Sequence, residues 1–175
     1  MMAKLKTMDC ISSLALQFTI LNASRSGEVL YAKRSEVLGG VWTIPAERMK
    51  ARTEHQVPLG FAALALIEKA KSLDPDSEYL FSKKGKHLSN MAMLMKVRRL
   101  RKGLTVHGFR STFRDWVSEE TEHSPEVAEM ALAHTIANKV EAAYRRGKLL
   151  ERRRSLLSDW ERHCLSAINA QVHDV

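Results

Sequence analysis

The chain has 175 residues, 45% of them hydrophobic, enough for one sizeable domain with its own core. Lys and Arg number 28 against 20 Asp and Glu, a formal charge of +8, with a pI near 9.7, and that balance favours a polyanionic partner. No apolar run approaches the roughly 20 residues needed to cross a bilayer. The basic Met1–Thr7 stretch leads into an amphipathic helix without a small-residue cleavage site, which argues against a secretory signal. Cys10 and Cys164 lie near opposite ends with no metal-ligand spacing, so neither a disulfide framework nor a zinc site is expected, and a reducing cytoplasm is the simplest location.

Met8 to Ser24 is predicted as a central helix, with Met8, Ile11, Leu14, Phe18 and Leu21 recurring at steps of three and four. Arg25 follows at a junction with a second short helix, Gly27 to Tyr31. Val37-Leu38 leads into the turn Gly39-Gly40. Val41 to Ile44 reads as a strand and His55 to Pro58 as its antiparallel partner. The hairpin between them carries Arg48, Lys50 and Arg52, a basic tip suited to a phosphate backbone. His55, on the strand after Lys50, is the further histidine most suited to a phosphate contact beside that tip.

Leu59 to Leu73 has helical periodicity, broken by Asp74-Pro75-Asp76-Ser77. Tyr79-Leu80-Phe81 reads as a short core-packed piece and Lys83-Lys84-Gly85-Lys86 as a basic turn. Ser89 opens a helix to about Leu100, whose methionines are expected to fill the core. Phe109, Phe113, Trp116 and Val117 have core-facing helical spacing within Thr105–Glu120. Ser124-Pro125-Glu126 starts a helix ending near Ala133. Asn138 to Arg146 reads as another, and Lys148 to Ala170 as a long final one with an apolar stripe at Leu149, Leu156, Leu157, Trp160, Cys164 and Ile168. Arg152, Arg153 and Arg154 are placed off that stripe. Trp42 and Trp116 are expected in the core, not as base-stacking platforms.

His107 and Arg110 stand three residues apart, a spacing that keeps two side chains on one helical face. A guanidinium matches phosphate oxygens bidentately, so an imidazole beside it suits a phosphate better than a carbonyl. That pair stands in a series of short words along the chain: Ser24-Arg25-Ser26-Gly27-Glu28, Met49-Lys50-Ala51-Arg52, His107-Gly108-Phe109-Arg110, Leu132-Ala133-His134 and, ten residues on, Ala142-Ala143-Tyr144. In this order and spacing the chain resembles the catalytic domain of the tyrosine recombinases, nearest to phage- and island-type integrases, from about Met8 to Trp160.

The resemblance implies an α+β, mainly helical fold like that of tyrosine recombinases and type IB topoisomerases, with a small antiparallel sheet. It implies a site-specific DNA recombinase in which Tyr144 attacks a phosphodiester, leaving a 3′-phosphotyrosyl link and a free 5′-hydroxyl. Arg25 and Arg110 would clamp the nonbridging oxygens, and His107 and His134 would hydrogen-bond the phosphate or assist proton movement. Lys50 would protonate the departing oxygen, and Glu28 would help hold the first histidine. The partner would be double-stranded DNA at attachment sites, in a homotetramer joined through the final helix, with no membrane, metal or cofactor. Residues 1–175 would then be a catalytic domain alone, with the family's core-binding and arm-binding domains absent. An inactive remnant that only holds DNA is the alternative. The chemistry is consistent: fixed guanidiniums can neutralise a phosphoryl transition state, and a covalent link conserves bond energy for rejoining.

Overall fold

The computed structural model of the chain describes residues 1–134 and 146–169. Its centre is α2 (Ile11–Leu21), buried on nearly every side from Ser13 to Leu21. Such an all-round buried helix must satisfy its polar side chains internally. Ser13 Oγ and Gln17 Nε2 donate to the Leu5 carbonyl at 2.9 and 3.2 Å, and Thr19 Oγ1 donates to the Ala15 carbonyl at 2.8 Å. The helix is shorter at both ends than its apolar periodicity suggests. Cys10 is extended and precedes its first turn, and Ala23, with φ of 47°, ends it in the left-handed region.

Around α2 pack α4 (Phe61–Leu73) and α5 (Met91–Leu100), the short α3 (Ser26–Leu30), and α1 (Met2–Lys6). The basic N-terminal stretch, assigned no element from sequence, forms α1 because Met2 and Leu5 give it an apolar side to bury. The second half contributes α6 (Gly108–Glu120), α7 (Pro125–Ala131) and α8 (Arg146–Asn169). The expected helix at Asn138 to Arg146 falls almost entirely outside the described residues.

The sheet has three antiparallel strands in the order β1 (Val37–Leu38), β2 (Val41–Ile44), β3 (His55–Pro58). Trp42 faces Val37 on one side and Val57 on the other. The extra strand β1 exists because Gly39 and Gly40 both take positive φ, 58° and 73°, as a tight two-residue hairpin turn requires. A second hairpin, β4 (Ser82–Lys83) and β5 (Lys86–His87), carries the predicted basic turn.

The core joins these layers through aromatic contacts. Phe18 meets Trp42 and Phe81 at centroid distances of 5.4 and 5.2 Å, and Trp160 meets Phe113 and Trp116 at 5.4 and 5.1 Å. Both Trp42 and Trp116 are buried, as expected from sequence. The methionines of α5 depart from expectation: Met93 is fully buried, but Met91 and Met95 are exposed, because the helix turns only one face to α2.

The start of α4 is capped from a distance. Its N-cap, Gly60, has no side chain to offer, and the Glu161 carboxylate of α8 accepts from Ala62 N at 3.0 Å and Ala63 N at 3.3 Å. A Cβ on Gly60 would meet Glu161 Oε2 at 2.3 Å. Glu161→Ala is expected to cost about 1 kcal/mol in urea unfolding, the usual worth of an N-terminal cap. Gly60→Ala should cost a similar amount in the native chain and much less in the Glu161→Ala background, since both changes remove the same cap.

Candidate active site

The end of α2 and the start of α3 present Arg25. Its backbone N–H and its Nη1 both go to Glu28, each at 2.8 Å, so one carboxylate caps α3 and fixes the guanidinium. Glu28 is buried while the Arg25 side chain stays about a quarter exposed, at 27%. The carbonyl of Glu28 accepts from Arg48 Nη1 at 3.1 Å, and Arg48 Nη2 pairs with Glu36. The hairpin between β2 and β3 is thereby drawn towards α3. Between them opens a cleft of about 390 Å³ lined by Arg25, Gly27, Glu28 and, from the hairpin, Glu47, Arg48, Met49, Lys50 and Arg52.

Arg110 comes from the first turn of α6 and is buried. Its Nη1 donates to the Ala23 carbonyl at 2.5 Å and its Nη2 to the Leu132 carbonyl at 2.6 Å. Those carbonyls lie at the C-terminal ends of α2 and α7, where backbone acceptors lack helical partners. Burial, then the neighbouring Arg25, pulls its pKa down to about 10, with Glu28 and Glu129 acting the other way, so the group stays charged near neutrality. Its Nη2 also lies 3.4 Å from His134 Nε2. His107 sits exposed at the N-cap of α6, one turn before Arg110.

His134 follows Ala133, whose φ is 50°. The turn is closed by His134 N donating to the Glu129 carbonyl at 2.9 Å. Ala23 does the same after α2, with Ser24 N donating to the Thr19 carbonyl at 3.1 Å. Two helices thus end alike, in a left-handed residue followed closely by a candidate catalytic side chain.

The model of the phage integrase family matches residues 1–149. The chain belongs to the phage integrase family. It is 34% identical to Prophage integrase IntA of Escherichia coli (strain K12) over 148 residues, 81% of this chain and 36% of that protein. The Integrase of Enterobacteria phage P4 is 28% identical over 174 residues, 86% of this chain and 39% of that protein. The chain therefore spans little more than a third of the length of these relatives. Among solved structures, the lambda integrase catalytic core aligns with a TM-score of 0.58 at 19% identity, over 79% of this chain and 88% of that one. A lambda integrase tetramer bound to a Holliday junction aligns with a TM-score of 0.59 at 19% identity, over 79% of this chain and 45% of that one. At such identity the likeness shows the shared fold: mainly helical, with a small antiparallel sheet.

In this integrase-family chain, Arg25, Glu28 and Lys50 line one cleft. Arg110 lies close enough to Arg25 and Glu28 to feel their charges, and His134 touches Arg110. Tyr144 lies outside the described residues. Glu28 differs from expectation: both its carboxylate oxygens are committed to Arg25, so it braces the arginine. Arg48 differs as well. Its guanidinium is engaged with Glu36 and the Glu28 carbonyl, so it ties the hairpin down where a free basic tip was expected. Arg52 is exposed on the hairpin. His55 is half-buried, hydrogen-bonded to the Ala131 backbone and close to Arg153, Arg25 and Arg110. It stands beneath the site, where an exposed DNA contact was expected.

Glu129, its partner Arg114, and Arg153 also belong to the site, although no family word marks them. Glu129 accepts from Arg114 Nε at 2.7 Å and pairs with His134 Nδ1 at 2.5 Å. Arg153 is buried on α8, donating to the Leu149 carbonyl at 3.3 Å and the Gln56 carbonyl at 2.5 Å. A signal for Arg153 was present: it falls at the fourth position after Leu149 and the third before Leu156, squarely on the apolar stripe.

Arg110→Lys should destabilise the chain by about 2–4 kcal/mol in urea unfolding, because an ammonium cannot span both carbonyls and leaves a buried acceptor unpaired. His55 gives a pH signature. Burial, then Arg153, pushes its pKa down to about 4, against an ordinary 6.5. The unfolded chain therefore binds the extra proton first, and stability falls as pH drops from about 6.5 to about 4. His55→Gln should flatten that part of the unfolding free-energy profile by roughly 1–3 kcal/mol.

Proposed function

We propose that this chain is the catalytic domain of a site-specific DNA recombinase that breaks and rejoins strands through a 3′-phosphotyrosyl intermediate at Tyr144. The observation that carries this reading is the meeting of Arg25 and Lys50 in one cleft, with Arg110 and His134 adjoining. Such a set offers fixed positive donors to a phosphate's nonbridging oxygens and a mobile ammonium to its leaving oxygen. Family membership supports it. So do the relatives named as prophage and phage integrases, and the lambda integrase structures solved on a core site and on a Holliday junction.

In this mechanism the phenolic oxygen of Tyr144 attacks the phosphorus and the bond to the 5′ oxygen breaks. Arg25 and Arg110 bind the nonbridging oxygens, where charge gathers in the transition state. Lys50, on the hairpin, gives a proton to the departing 5′ oxygen. The phenol proton leaves to a histidine or to solvent, and the cationic surroundings favour the phenolate of a group whose pKa is ordinarily about 10. A second strand's 5′-hydroxyl reverses the step. His107, at the head of α6, is assigned to the phosphate with His134. Arg52 is assigned to the flanking DNA backbone. The working assembly would be a tetramer on duplex DNA, linked through the final helix, in the cytoplasm.

The test uses a nicked duplex bearing the attachment sequence, from which a cleaved fragment escapes and traps the covalent state. The native protein should give a covalent protein–DNA band on a denaturing gel. Tyr144→Phe should abolish it, and Arg25→Ala or Lys50→Ala should slow its formation on the order of a hundredfold to a thousandfold. DNA retention should weaken steeply with salt in all four proteins. Salt-sensitive retention without any covalent band would overturn the proposal in favour of a DNA-holding module.

A further inference from the structure

The close pairing of Glu129 with His134 constrains where the histidine carries its proton. Glu129 lies in the last turn of α7, and His134 lies just past its end. The backbone turn that closes on Ala133 brings the two side chains back over one another. His134 Nδ1 then meets Glu129 Oε2 at 2.5 Å, while Arg114 Nε donates to Oε1 at 2.7 Å. Both oxygens of Glu129 are thereby used. The hydrogen bonds to His134 and Arg114 hold its carboxyl below the ordinary glutamate range, so near neutrality it is an acceptor only. The proton in the short contact therefore sits on Nδ1.

The other ring nitrogen faces Arg110 Nη2 at 3.4 Å. A guanidinium carries donors and no acceptor. A neutral His134 between these two partners can satisfy both in one form only, with hydrogen on Nδ1 and a lone pair on Nε2. The two contacts agree on the same tautomer, although they come from different helices, α7 and α6.

We propose that Glu129 is a positioning residue that locks His134 in the Nδ1–H tautomer, so that its Nε2 enters the site as a proton acceptor. This rests on the proposed recombinase reading, in which an acceptor is needed for the phenol proton of Tyr144. Nε2 gives up its long 3.4 Å contact with Arg110 Nη2 to take the phenol proton: the O–H bond breaks as Nε2–H forms, the phenolic oxygen bonds to phosphorus, and the bond from phosphorus to the 5′ oxygen breaks as Lys50 protonates that oxygen. Glu129, facing the ring from the opposite side, stabilises the resulting imidazolium. On rejoining, the same proton returns to the phenol. Arg114, whose side chain is 64% exposed, serves by holding the carboxylate in its rotamer. A carboxylate that fixes a histidine's tautomer and supports its cation is a recurring arrangement in proton-transferring sites.

The tautomer can be read from the protein alone, by two-bond 15N–1H correlation of the neutral His134 ring at alkaline pH. The native protein should show the Nδ1–H pattern. Glu129→Ala should shift His134 to the Nε2–H form that free imidazole side chains favour, and should slow single-turnover covalent-band formation about 10–100-fold. DNA retention should be unchanged. Glu129→Gln, whose amide oxygen still accepts from Nδ1–H, should keep the native tautomer and recover most of the rate. The inference is overturned if His134 keeps its Nδ1–H form in Glu129→Ala, or if the tautomer changes and the rate does not. A native protein that never forms the covalent band counts against the recombinase reading. The ring spectrum then still decides whether Glu129 sets the tautomer.

Discussion

One buried guanidinium joins the two halves of this fold. Arg110 spans the C-terminal ends of α2 and α7, donating to the carbonyls of Ala23 and Leu132. Helix C-termini carry partial negative charge and unpaired acceptors, so a cation placed between two of them is held by both. That contact fixes where Arg25 and His134 stand, because each follows within two residues of a bridged helix end. Without it, the α2–α3 junction and the α7 terminus would share no polar link among the contacts described. The left-handed residues Ala23 and Ala133 are part of the arrangement. Each holds a conformation that costs on the order of 1–3 kcal/mol outside glycine, and each is kept there by the turn hydrogen bonds and by Arg110, which holds the carbonyl of Ala23 itself and that of Leu132 just before Ala133.

Crowding of cations is the second constraint. Arg25, Arg110, Lys50 and Arg153 lie around one region, and like charges at close range are costly in a partly buried site. The structure offsets them with acids at fixed points. Glu28 takes Arg25, Glu36 takes Arg48, and Glu129 takes Arg114 and His134. Backbone carbonyls do the rest, at Ala23, Leu132, Gln56 and Leu149. Arg25, Arg110 and Arg153 are therefore oriented before any polyanion arrives, as electrostatic preorganisation requires, while Lys50 stays exposed on its hairpin.

The last helix is a strap across this assembly. Arg153 reaches the Gln56 carbonyl on β3, Trp160 Nε1 donates to the Ile20 carbonyl of α2 at 2.9 Å, and Glu161 caps α4. Three elements from the first half of the chain are thus tied to one helix from its end. One of them is the strand that follows the Lys50 hairpin. The segment carrying Tyr144 immediately precedes α8 in sequence, so the helix that follows the proposed nucleophile is anchored to the sheet carrying the proposed acid.

Local patterns determined much of this protein. Apolar periodicity placed α2, α4, α6 and α8 to within a few residues, since burial of one face is written at helical spacing. Paired glycines marked the β1–β2 turn, because only residues tolerant of positive φ close it. The family words located Arg25, Lys50, Arg110 and His134 in order. What the sequence could not supply was the partner of each charge. Arg48 looked like a free basic tip and His55 like a surface histidine, and tertiary contacts made one a brace and the other a half-buried neutral ring. Arg153 looked like one of three solvated arginines, and only the approach of β3 gave its guanidinium a carbonyl. Glu129 carried no signal, because its meeting with His134 depends on a left-handed alanine that the sequence does not announce. Side-chain pairing between distant segments is set by how helices and strands come together, and composition or spacing along one segment contains no record of that.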